Sequence, residues 1–287
     1  MLSILIPLYN RNVFQLVETL HKQALRIHNF DFEILVCDDA SVNKFAKNDA
    51  INSLKNCTLF TLDMNIGRTG VRNILAQKAK YNHLLFLDAD VLPGNPNFLL
   101  NYIKSMDNSV IFGGYEYIKD RKICAQNLRY KFGVSREAVP LNKRIKEPYR
   151  FTFSGNFLIP RNIFLTLNIS DQNQYGMDLL FSSLLMKNQI QIKHINNPIY
   201  HIGLEENQVF VKKSISAVTY RFSLRNEIHY ELERKHKLIS KCYLDRAILL
   251  CYKTFKSKIE KNLTSTRPNL LLYDFYRLGH YISLHKG

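Results

Sequence analysis

Two carboxylates separated by one residue, Asp88 and Asp90, are the side chains of this chain best suited to metal chemistry. They follow the apolar run 84–87, which is typical of a buried strand, and they precede Pro93. Two acids so close together repel each other unless a cation or a buried partner offsets their charge. A hard divalent ion that also holds a diphosphate would do so. The alternative is a pair of acids on a solvated corner.

The elements that must position these acids alternate between strand and helix. Residues 3–8 and 32–37 are typical of buried strands, and each run ends in a polar turn, Tyr9-Asn10 and Asp38-Asp39. Between the two strands, apolar residues recur at helical spacing. This alternation predicts a parallel, doubly wound sheet, in which ligands bind outside the carboxyl ends of the strands. We therefore expect the three polar turns on one edge of the sheet.

The rest of the chain predicts an α/β domain followed by a helical extension. The further elements expected are a helix over about 43–54, a strand over 58–62, a helix over 69–80, strands over 84–87 and 151–159, a helix over 177–187 and a strand over 191–200. We predict a catalytic domain over 1–204, with halves 1–114 and 115–204. The extension over 205–287 is basic, rich in aromatic residues and mostly helical by spacing.

Size, cysteine content and hydropathy place the chain among cytoplasmic proteins. Its 287 residues suffice for one large α/β domain with an appendage. The five cysteines are odd in number and lack CxxC spacing, which favours reduced thiols and makes a zinc site a poor fit. The N-terminus shows no signal peptide, and no apolar stretch approaches the ~20 residues of a membrane span.

The net charge of +16 indicates an anionic partner, and its distribution narrows the choice. Residues 119–150 hold ten basic and three acidic side chains, and residues 205–287 hold sixteen and eight, so they contribute +7 and +8. The remainder is therefore near neutral, at +1. A nucleic-acid-binding protein would explain the total charge equally well. The near-neutral core and the lack of an RNA-binding or helix-turn-helix pattern argue against it.

Six segments, in order over about residues 2–205, resemble motifs of the family 2 glycosyltransferases. They are ILIPLYN at 4–10, EILVCDDAS at 33–41, NIGR with VRN at 65–73, LDADV at 87–91, GNFLI at 155–159 and NPIYH at 197–201. The resemblance implies a GT-A type fold, that is, a doubly wound, mostly parallel sheet flanked by helices, here with a helical C-terminal extension. It also implies an inverting hexosyltransferase-type enzyme that uses a UDP-sugar and a divalent metal, Mn²⁺ or Mg²⁺.

For the donor nucleotide, the resemblance implies a set of binding residues at the strand ends. Tyr9 would lie against the base, and Asp39 would accept a hydrogen bond from the base or ribose; as an alternative, Asp38 and Asp39 serve turn chemistry. Arg68 would approach the base or diphosphate, or else be a solvated helix residue. Arg72 is interpreted as structural. The implied set is Pro7, Tyr9, Asn10, Asp39, Arg68 and Asp88.

For the metal, the resemblance implies Asp90 as the stronger ligand and His201 as a further one. Asp88 would reach the ribose or a metal-bound water. The metal would act mainly as a Lewis acid on the leaving diphosphate. A lone histidine is otherwise a packed or capping residue.

The catalytic base is where the chain departs from the family pattern. Family members carry Glu-Asp at the start of a helix below the acceptor, whereas this chain has Met177-Asp178. One carboxylate suffices to take a proton from an attacking hydroxyl, so Asp178 is the predicted base. The alternative is an aspartate that interacts with the helix macrodipole. The missing glutamate leaves open a catalytically inactive, sugar- or nucleotide-binding relative.

For the acceptor, the sequence indicates only a chemical class. The chain has no Trp and therefore lacks the QxxRW motif of polymerising relatives, which favours transfer of a single sugar. A glycan or lipid-linked acceptor in bacterial cell-surface polysaccharide synthesis fits this reading. Cations of the 119–150 segment could face a phosphate-bearing acceptor, or form a solvated loop: Arg121, Arg129, Lys131, Arg136, Lys143, Arg144 and Arg150.

The alternating basic and aromatic residues of the extension predict a peripheral contact with the inner face of an anionic cell membrane. The positions that suggest this contact are Tyr220, Phe222, Tyr252, Phe255, Tyr273, Phe275 and Tyr276. Aromatic stripes also form helix cores, so part of the extension is expected to be packed rather than exposed.

Overall fold

A computed structural model describes residues 1–168, 176–225, 228 and 231–286. The chain forms two compact units. The first comprises 1–118, 137–173 and 184–203, and the second comprises 119–136, 174–183 and 204–287, apart from the undescribed positions. The domain division made from the sequence, with its boundary at 204, stays a prediction.

The described residues contain ten strands, all in the first unit, and they form two sheets. The strands are β1 (Leu2–Leu8), β2 (Phe32–Asp38), β3 (Cys57–Thr61), β4 (His83–Leu87), β5 (Val91–Pro93), β6 (Val110–Phe112), β7 (Tyr115–Glu116), β8 (Asn156–Pro160), β9 (Ile192–His194) and β10 (Ile199–His201). The larger sheet has the order β3-β2-β1-β4-β8-β6-β9, and the smaller has the order β5-β10-β7.

The larger sheet is mostly parallel, as a doubly wound arrangement requires. Strands β1 to β4 all run in the same direction, while β8 runs antiparallel to both β4 and β6. The apolar side chains of β1 and β4 are almost completely buried, because a strand covered on both faces must be apolar throughout. The register places Leu8 level with Asp38, so the turns after β1 and β2 begin side by side.

Helices flank the sheet in the first unit and make up the second. They are α1 (Phe14–Leu25), α2 (Gly67–Lys78), α3 (Phe98–Ser105), α4 (Arg121–Gln126), α5 (Leu128–Arg136), α6 (Leu141–Lys146), α7 (Arg161–Leu167), α8 (Asp178–Lys187), α9 (Asn207–Ser223), α10 (Glu231–Lys241), α11 (Asp245–Leu263) and α12 (Leu270–Lys286). Among the described residues, no helix is long and apolar enough to cross a membrane.

Three of the predicted elements differ in detail from the structure. The single strand expected over 191–200 is two strands, β9 and β10, which belong to different sheets. Pro198 has no N–H to donate to a ladder, and the neighbouring chain turns at Gly114, whose φ is +97°. The strand expected over 151–159 begins only at Asn156, after a 3₁₀ turn over Pro148–Phe151. The helix predicted at 43–54 is likewise a 3₁₀ helix, Ala46–Ser53.

The second unit has its own apolar core, built largely from aromatic side chains. Several of the aromatics that suggested a membrane contact lie in it. The core consists of Leu128, Phe210, Val211, Tyr252, Ile259, Leu263, Tyr273 and Tyr276. The stacked pair Phe210 and Tyr273, with ring centroids 5.5 Å apart, ties α9 to α12. These tyrosines are therefore packing residues.

Candidate active site

The turns after β1 and β2 are held together by short polar side chains. The Asn10 N–H donates to Ser41 Oγ at 2.7 Å, and Asn10 Oδ1 accepts from the Asn43 N–H at 2.9 Å. Asp38 Oδ1 in turn accepts from the Ser41 N–H and Oγ, at 3.0 and 2.5 Å. Asp38 and Asn10 therefore hold the two turns in place at the edge of the sheet. The Tyr9 ring beside them is 46% exposed. Pro7 lies one residue before the end of β1.

Asp39 is buried and caps the first turn of α2. Its carboxylate accepts from the Ile66 N–H at 2.7 Å and from the Gly67 N–H at 2.9 Å, and the Asn65 amide donates to its carbonyl oxygen. A helix begins with N–H groups that lack partners, and Asp39 supplies an anion at that end. Gly67 has a φ of +79°, which only glycine adopts readily. A carboxylate can accept about four hydrogen bonds, so Asp39 could also accept a hydrogen bond from a ligand.

Asp88 follows β4 and is held by two arginines from one side of α2. Arg68 Nη2 lies 2.7 and 2.5 Å from its two oxygens, and Arg72 Nη2 lies 2.8 Å from Oδ1. Burial by itself raises the pKa of the Asp88 carboxyl. The two guanidinium groups outweigh that effect and hold the pKa below its usual value. Asp88 is therefore a charged group, with its charge offset by the protein.

The two arginines differ in exposure and therefore in what they can do. The side chain of Arg72 is only 6% exposed and also donates to the Ser154 carbonyl at 2.5 Å. Its guanidinium lies 5.9 Å from the centre of the Phe86 ring. The Arg68 side chain is 43% exposed, so it can meet a ligand. The four-residue spacing puts both cations on one helix face. That spacing is the signal by which the sequence could have paired Arg72 with Asp88.

Glycine at 155 is required by the position of Asp88. A Cβ built on Gly155 would lie within 3.0 Å of the Tyr115 hydroxyl and of Asp88 Oδ2. The Asp88 N–H also donates to the Gly155 carbonyl at 3.3 Å, where β4 and β8 lie side by side. Burial of the Tyr115 hydroxyl, with Asp88 close by, raises its pKa well above the ordinary value, so it remains protonated. Sequence reasoning did not assign a role to Tyr115.

Asp90 and His201 are brought together by the smaller sheet. His201 in β10 pairs with Val91 in β5, and the Ile202 N–H donates to the Asp90 carbonyl at 2.9 Å. His201 Nε2 therefore lies 3.9 Å from Asp90 Oδ2. The Tyr117 ring stacks on the imidazole at 5.7 Å, and a Cβ on Gly203 would collide with the Asp90 carboxylate.

The pair fits a divalent cation by donor type. Carboxylate oxygen suits Mn²⁺ and Mg²⁺, histidine is a common ligand of divalent metals, and the 3.9 Å between the two groups would let both contact one ion. The described residues include no group of three or more His, Cys, Asp or Glu side chains that could hold a metal by themselves. The protein part of such a site would thus be Asp90 and His201, with Asp88 next to them on the chain.

The predicted base and two of the cations predicted to face an acceptor are each described within their own unit. Asp178 is the first residue of α8, is partly buried and belongs to the second unit. Arg144 is part of the protein interior rather than of a solvated loop. It is 2% exposed, and its guanidinium donates to carbonyls of the backbone, including Val139 and Ile195 at 3.0 Å. Arg136 is paired with Asp274 at 2.8 Å within the second unit.

The class of protein follows from a match to a sequence family. The sequence profile described as "Glycosyl transferase family 2" matches residues 3–167, more than half of the chain. The chain belongs to this family, which confirms the resemblance and the GT-A type fold class.

Particular relatives can also be named. Chondroitin synthase of Escherichia coli is 32% identical over 126 residues, which cover 42% of this chain and 18% of that protein. The chain therefore spans less than a fifth of this relative.

Solved structures with a similar fold share little sequence. The Pyrobaculum calidifontis mannosyltransferase PcManGT, in complex with GDP-Man and Mn²⁺, superimposes with a TM-score of 0.56 at 13% identity, covering 98% of this chain and 84% of that one. S. aureus TarS 1-349 gives 0.51 at 16% identity, covering 99% and 90%. At this identity the likeness concerns the fold.

Proposed function

We propose that this protein is an inverting, metal-dependent glycosyltransferase that moves a single sugar from a UDP-sugar to a glycan or lipid-linked acceptor. The observation that carries the proposal is the pairing of Asp90 with His201 beside Asp88 at the strand ends. Family membership supports the class of reaction. The mannosyltransferase solved with GDP-Man and Mn²⁺, and TarS solved with UDP-GlcNAc, support a nucleotide-sugar donor.

The donor would lie along the edge formed by the ends of β1, β2 and β4. The exposed Tyr9 ring would stack against the base, with Pro7 and Asn10 shaping the turn behind it. Asp39 would accept a hydrogen bond from the base or ribose, through a lone pair that is not bonded to the N–H groups of α2. Arg68 can turn from Asp88 toward the diphosphate, while Arg72 keeps Asp88 charged.

Asp90 and His201 would hold the metal, with Asp88 reaching the ribose or a metal-bound water. When bound, Mn²⁺ or Mg²⁺ would supply positive charge to the leaving diphosphate. Asp178 would accept the proton of the acceptor hydroxyl. That oxygen forms a bond to the anomeric carbon as the bond to the diphosphate oxygen breaks, on the opposite face. The sugar configuration is therefore inverted.

A thermal-shift screen with UDP, UDP-sugars and GDP-mannose, each with and without Mn²⁺, tests the donor and the metal together. We expect a stabilisation by one nucleotide class that grows with Mn²⁺ and is lost in Asp90→Asn. Lys55→Gln, an exposed change away from the strand ends, serves as the control. A shift that is the same with and without metal would contradict the metal assignment. No shift with any donor would favour a catalytically inactive relative.

Measurements of turnover and of product stereochemistry test the proposed base and the inversion of configuration. Donor hydrolysis by the full chain should fall at least a hundredfold in Asp178→Asn, because a general base contributes about 10² to 10⁴ in rate. Product of the opposite anomeric configuration, seen by NMR, is expected. Hydrolysis that is unchanged in Asp178→Asn would refute the assignment of the base.

The setting of the reaction belongs to the same proposal. We place the enzyme in the cytoplasm, at the inner face of a bacterial cell membrane, in cell-surface polysaccharide synthesis. A lipid-linked acceptor would be presented at such a surface. Extraction of the enzyme with the membrane fraction at low salt, and its release at high salt, are expected.

A further inference from the structure

The second unit exposes apolar side chains around the connection between α10 and α11, while it buries the tyrosines that the sequence first suggested. Tyr252, Tyr273 and Tyr276 are at most 5% exposed. By contrast, four large apolar side chains lie at the surface between the end of α10 and the first half of α11. They are Leu238 (60% exposed), Tyr243 (89%), Leu244 (52%) and Leu250 (68%). Single exposed leucines are ordinary, but a group of this kind indicates a binding surface.

Tyr243 breaks a local rule of helix endings. Helix α10 ends with the Leu244 N–H donating to the Ile239 carbonyl at 3.2 Å and the Tyr243 N–H donating to Ser240 at 3.0 Å. Tyr243 has a φ of +56°, the left-handed conformation that this ending normally gives to glycine. Its ring gains no packing in return, because it is almost fully exposed. The exposed ring of Tyr243 is therefore available to a partner outside the fold.

Cations lie one helical turn away from the exposed leucines. Leu238 has Arg234 four residues before it and Lys241 three residues after it, on the outer side of α10. Leu250 has Arg246 and Lys253 at the corresponding positions on α11, all exposed. Long cationic side chains beside apolar ones suit an interface in which the stems are buried and the charges reach outward.

Both carboxylates of α11 are paired with other side chains of the second unit. Asp245 pairs with Lys286 at 2.5 Å, and the carboxylate of Glu260 accepts from the Tyr276 hydroxyl. The other exposed charges of α11 are all positive: Arg246, Lys253, Lys256, Lys258 and Lys261. An anionic surface would therefore be attracted along the length of the helix.

We propose that the α10–α11 face, formed by Leu238, Tyr243, Leu244 and Leu250 with Arg234, Lys241, Arg246 and Lys253, binds the surface of an anionic lipid bilayer. The apolar side chains enter the region between head groups and acyl chains, and the cations meet the lipid phosphates. Nucleic acid would use the cations but leave Leu238, Leu244 and Leu250 without a role. The proposal gives the peripheral membrane contact a definite surface and does not depend on the identity of the donor.

Co-sedimentation of the full chain with vesicles tests the proposal. The vesicles contain equal parts of phosphatidylcholine and phosphatidylglycerol, or phosphatidylcholine alone, in about 0.1 M or about 1 M salt. We expect binding to the mixed vesicles at low salt. Arg246→Gln with Lys253→Gln should weaken it about thirtyfold, because each cation near an anionic surface contributes a factor of about five. Lys55→Gln with Lys104→Gln, at exposed positions of the first unit, should leave it unchanged.

Two matched pairs of variants test the contribution of the apolar side chains to vesicle binding. Leu250→Ser should weaken vesicle binding about tenfold, whereas Leu25→Ser, at a similarly exposed position (58%), should not. Tyr243→Gly should raise the melting temperature and at the same time weaken vesicle binding. Gln189→Gly is its control, because Gln189 ends α8 with the same backbone arrangement, at φ +53°. It should raise the melting temperature and leave vesicle binding unchanged.

The outcomes separate this proposal from its alternatives. No binding to mixed vesicles at low salt overturns it, as does binding that the α10–α11 variants do not change. Displacement of bound vesicles by polyuridylate would assign the face to nucleic acid. A concentration-dependent dimer that Leu250→Ser dissociates would assign it to a second copy of the chain. Donor hydrolysis without vesicles, measured on the same samples, shows whether the glycosyltransferase proposal stands by itself.

Discussion

Replacement of Arg72 by methionine should destabilise the protein by about 3 to 5 kcal/mol at neutral pH. The substitution removes two hydrogen bonds of a buried cation, to Asp88 Oδ1 at 2.8 Å and to the Ser154 carbonyl at 2.5 Å. Each such bond contributes about 1.5 to 3 kcal/mol, and Arg68 remains to hold part of the Asp88 charge. Methionine keeps the apolar contact with Phe86. Chemical denaturation followed by circular dichroism measures the loss.

The pH dependence of this loss has a definite sign. The folded-state pKa of Asp88 lies below its ordinary value of 3.8, so its ion pairs contribute stability above that pH and lose it as pH falls through the folded pKa. The difference between wild type and Arg72→Met should therefore be constant from pH 7 to about pH 5 and narrow below about pH 4. A difference that widens on acidification would show that Asp88 is not the partner concerned.

A double-mutant cycle supplies the control. In an Asp88→Asn background, Arg72→Met should cost about 2 kcal/mol less than in the wild type, because the charged partner is already gone. Arg72→Lys keeps the charge but cannot span both acceptors, so we expect about half of the loss. A cost below about 1 kcal/mol for Arg72→Met, or the same cost in both backgrounds, would refute the reasoning.

Three further predictions concern the same site. Gly155→Ala should reduce activity by at least tenfold and lower stability by about 1 to 3 kcal/mol, because the new methyl meets Tyr115 and Asp88; activity like that of wild type would contradict the close approach. Asp39→Ala should lower the melting temperature by several degrees, in line with a lost cap of about 1 kcal/mol, and a calorimetric scan measures it. His201→Ala should raise the Mn²⁺ concentration needed for half-maximal activity at least tenfold, and an unchanged requirement would remove His201 from the metal site.

The sequence was sufficient to predict the strands of the parallel half and the edge at which the acids meet. A strand buried on both faces is a continuous apolar run, and the polar residue after it marks the carboxyl end whatever the rest of the chain does. For that reason Asp39 and Asp88 lie at the edge as predicted.

What sequence reasoning missed depends on contacts between distant segments. The spacing of Arg68 and Arg72 indicates only that they share a helix face, because the pairing with Asp88 is made by the placement of α2 beside the end of β4. Gly155 and Gly203 are needed because side chains from distant segments lie against them, and a local sequence pattern does not show such contacts. The division of 191–200 into two strands likewise follows from the bend at Gly114, about eighty residues earlier in the chain.

Helix α2 has a mechanical consequence for the two ends of the donor site. Its first turn is bonded to Asp39 and carries Arg68, and its second turn carries Arg72, the other arginine that holds Asp88. A helix is stiff over one or two turns, so α2 joins the two carboxylates rigidly. A shift of Asp88 would therefore be transmitted through α2 to Asp39. One inserted residue between Arg68 and Arg72 would rotate the second cation by about 100° and disconnect the two ends.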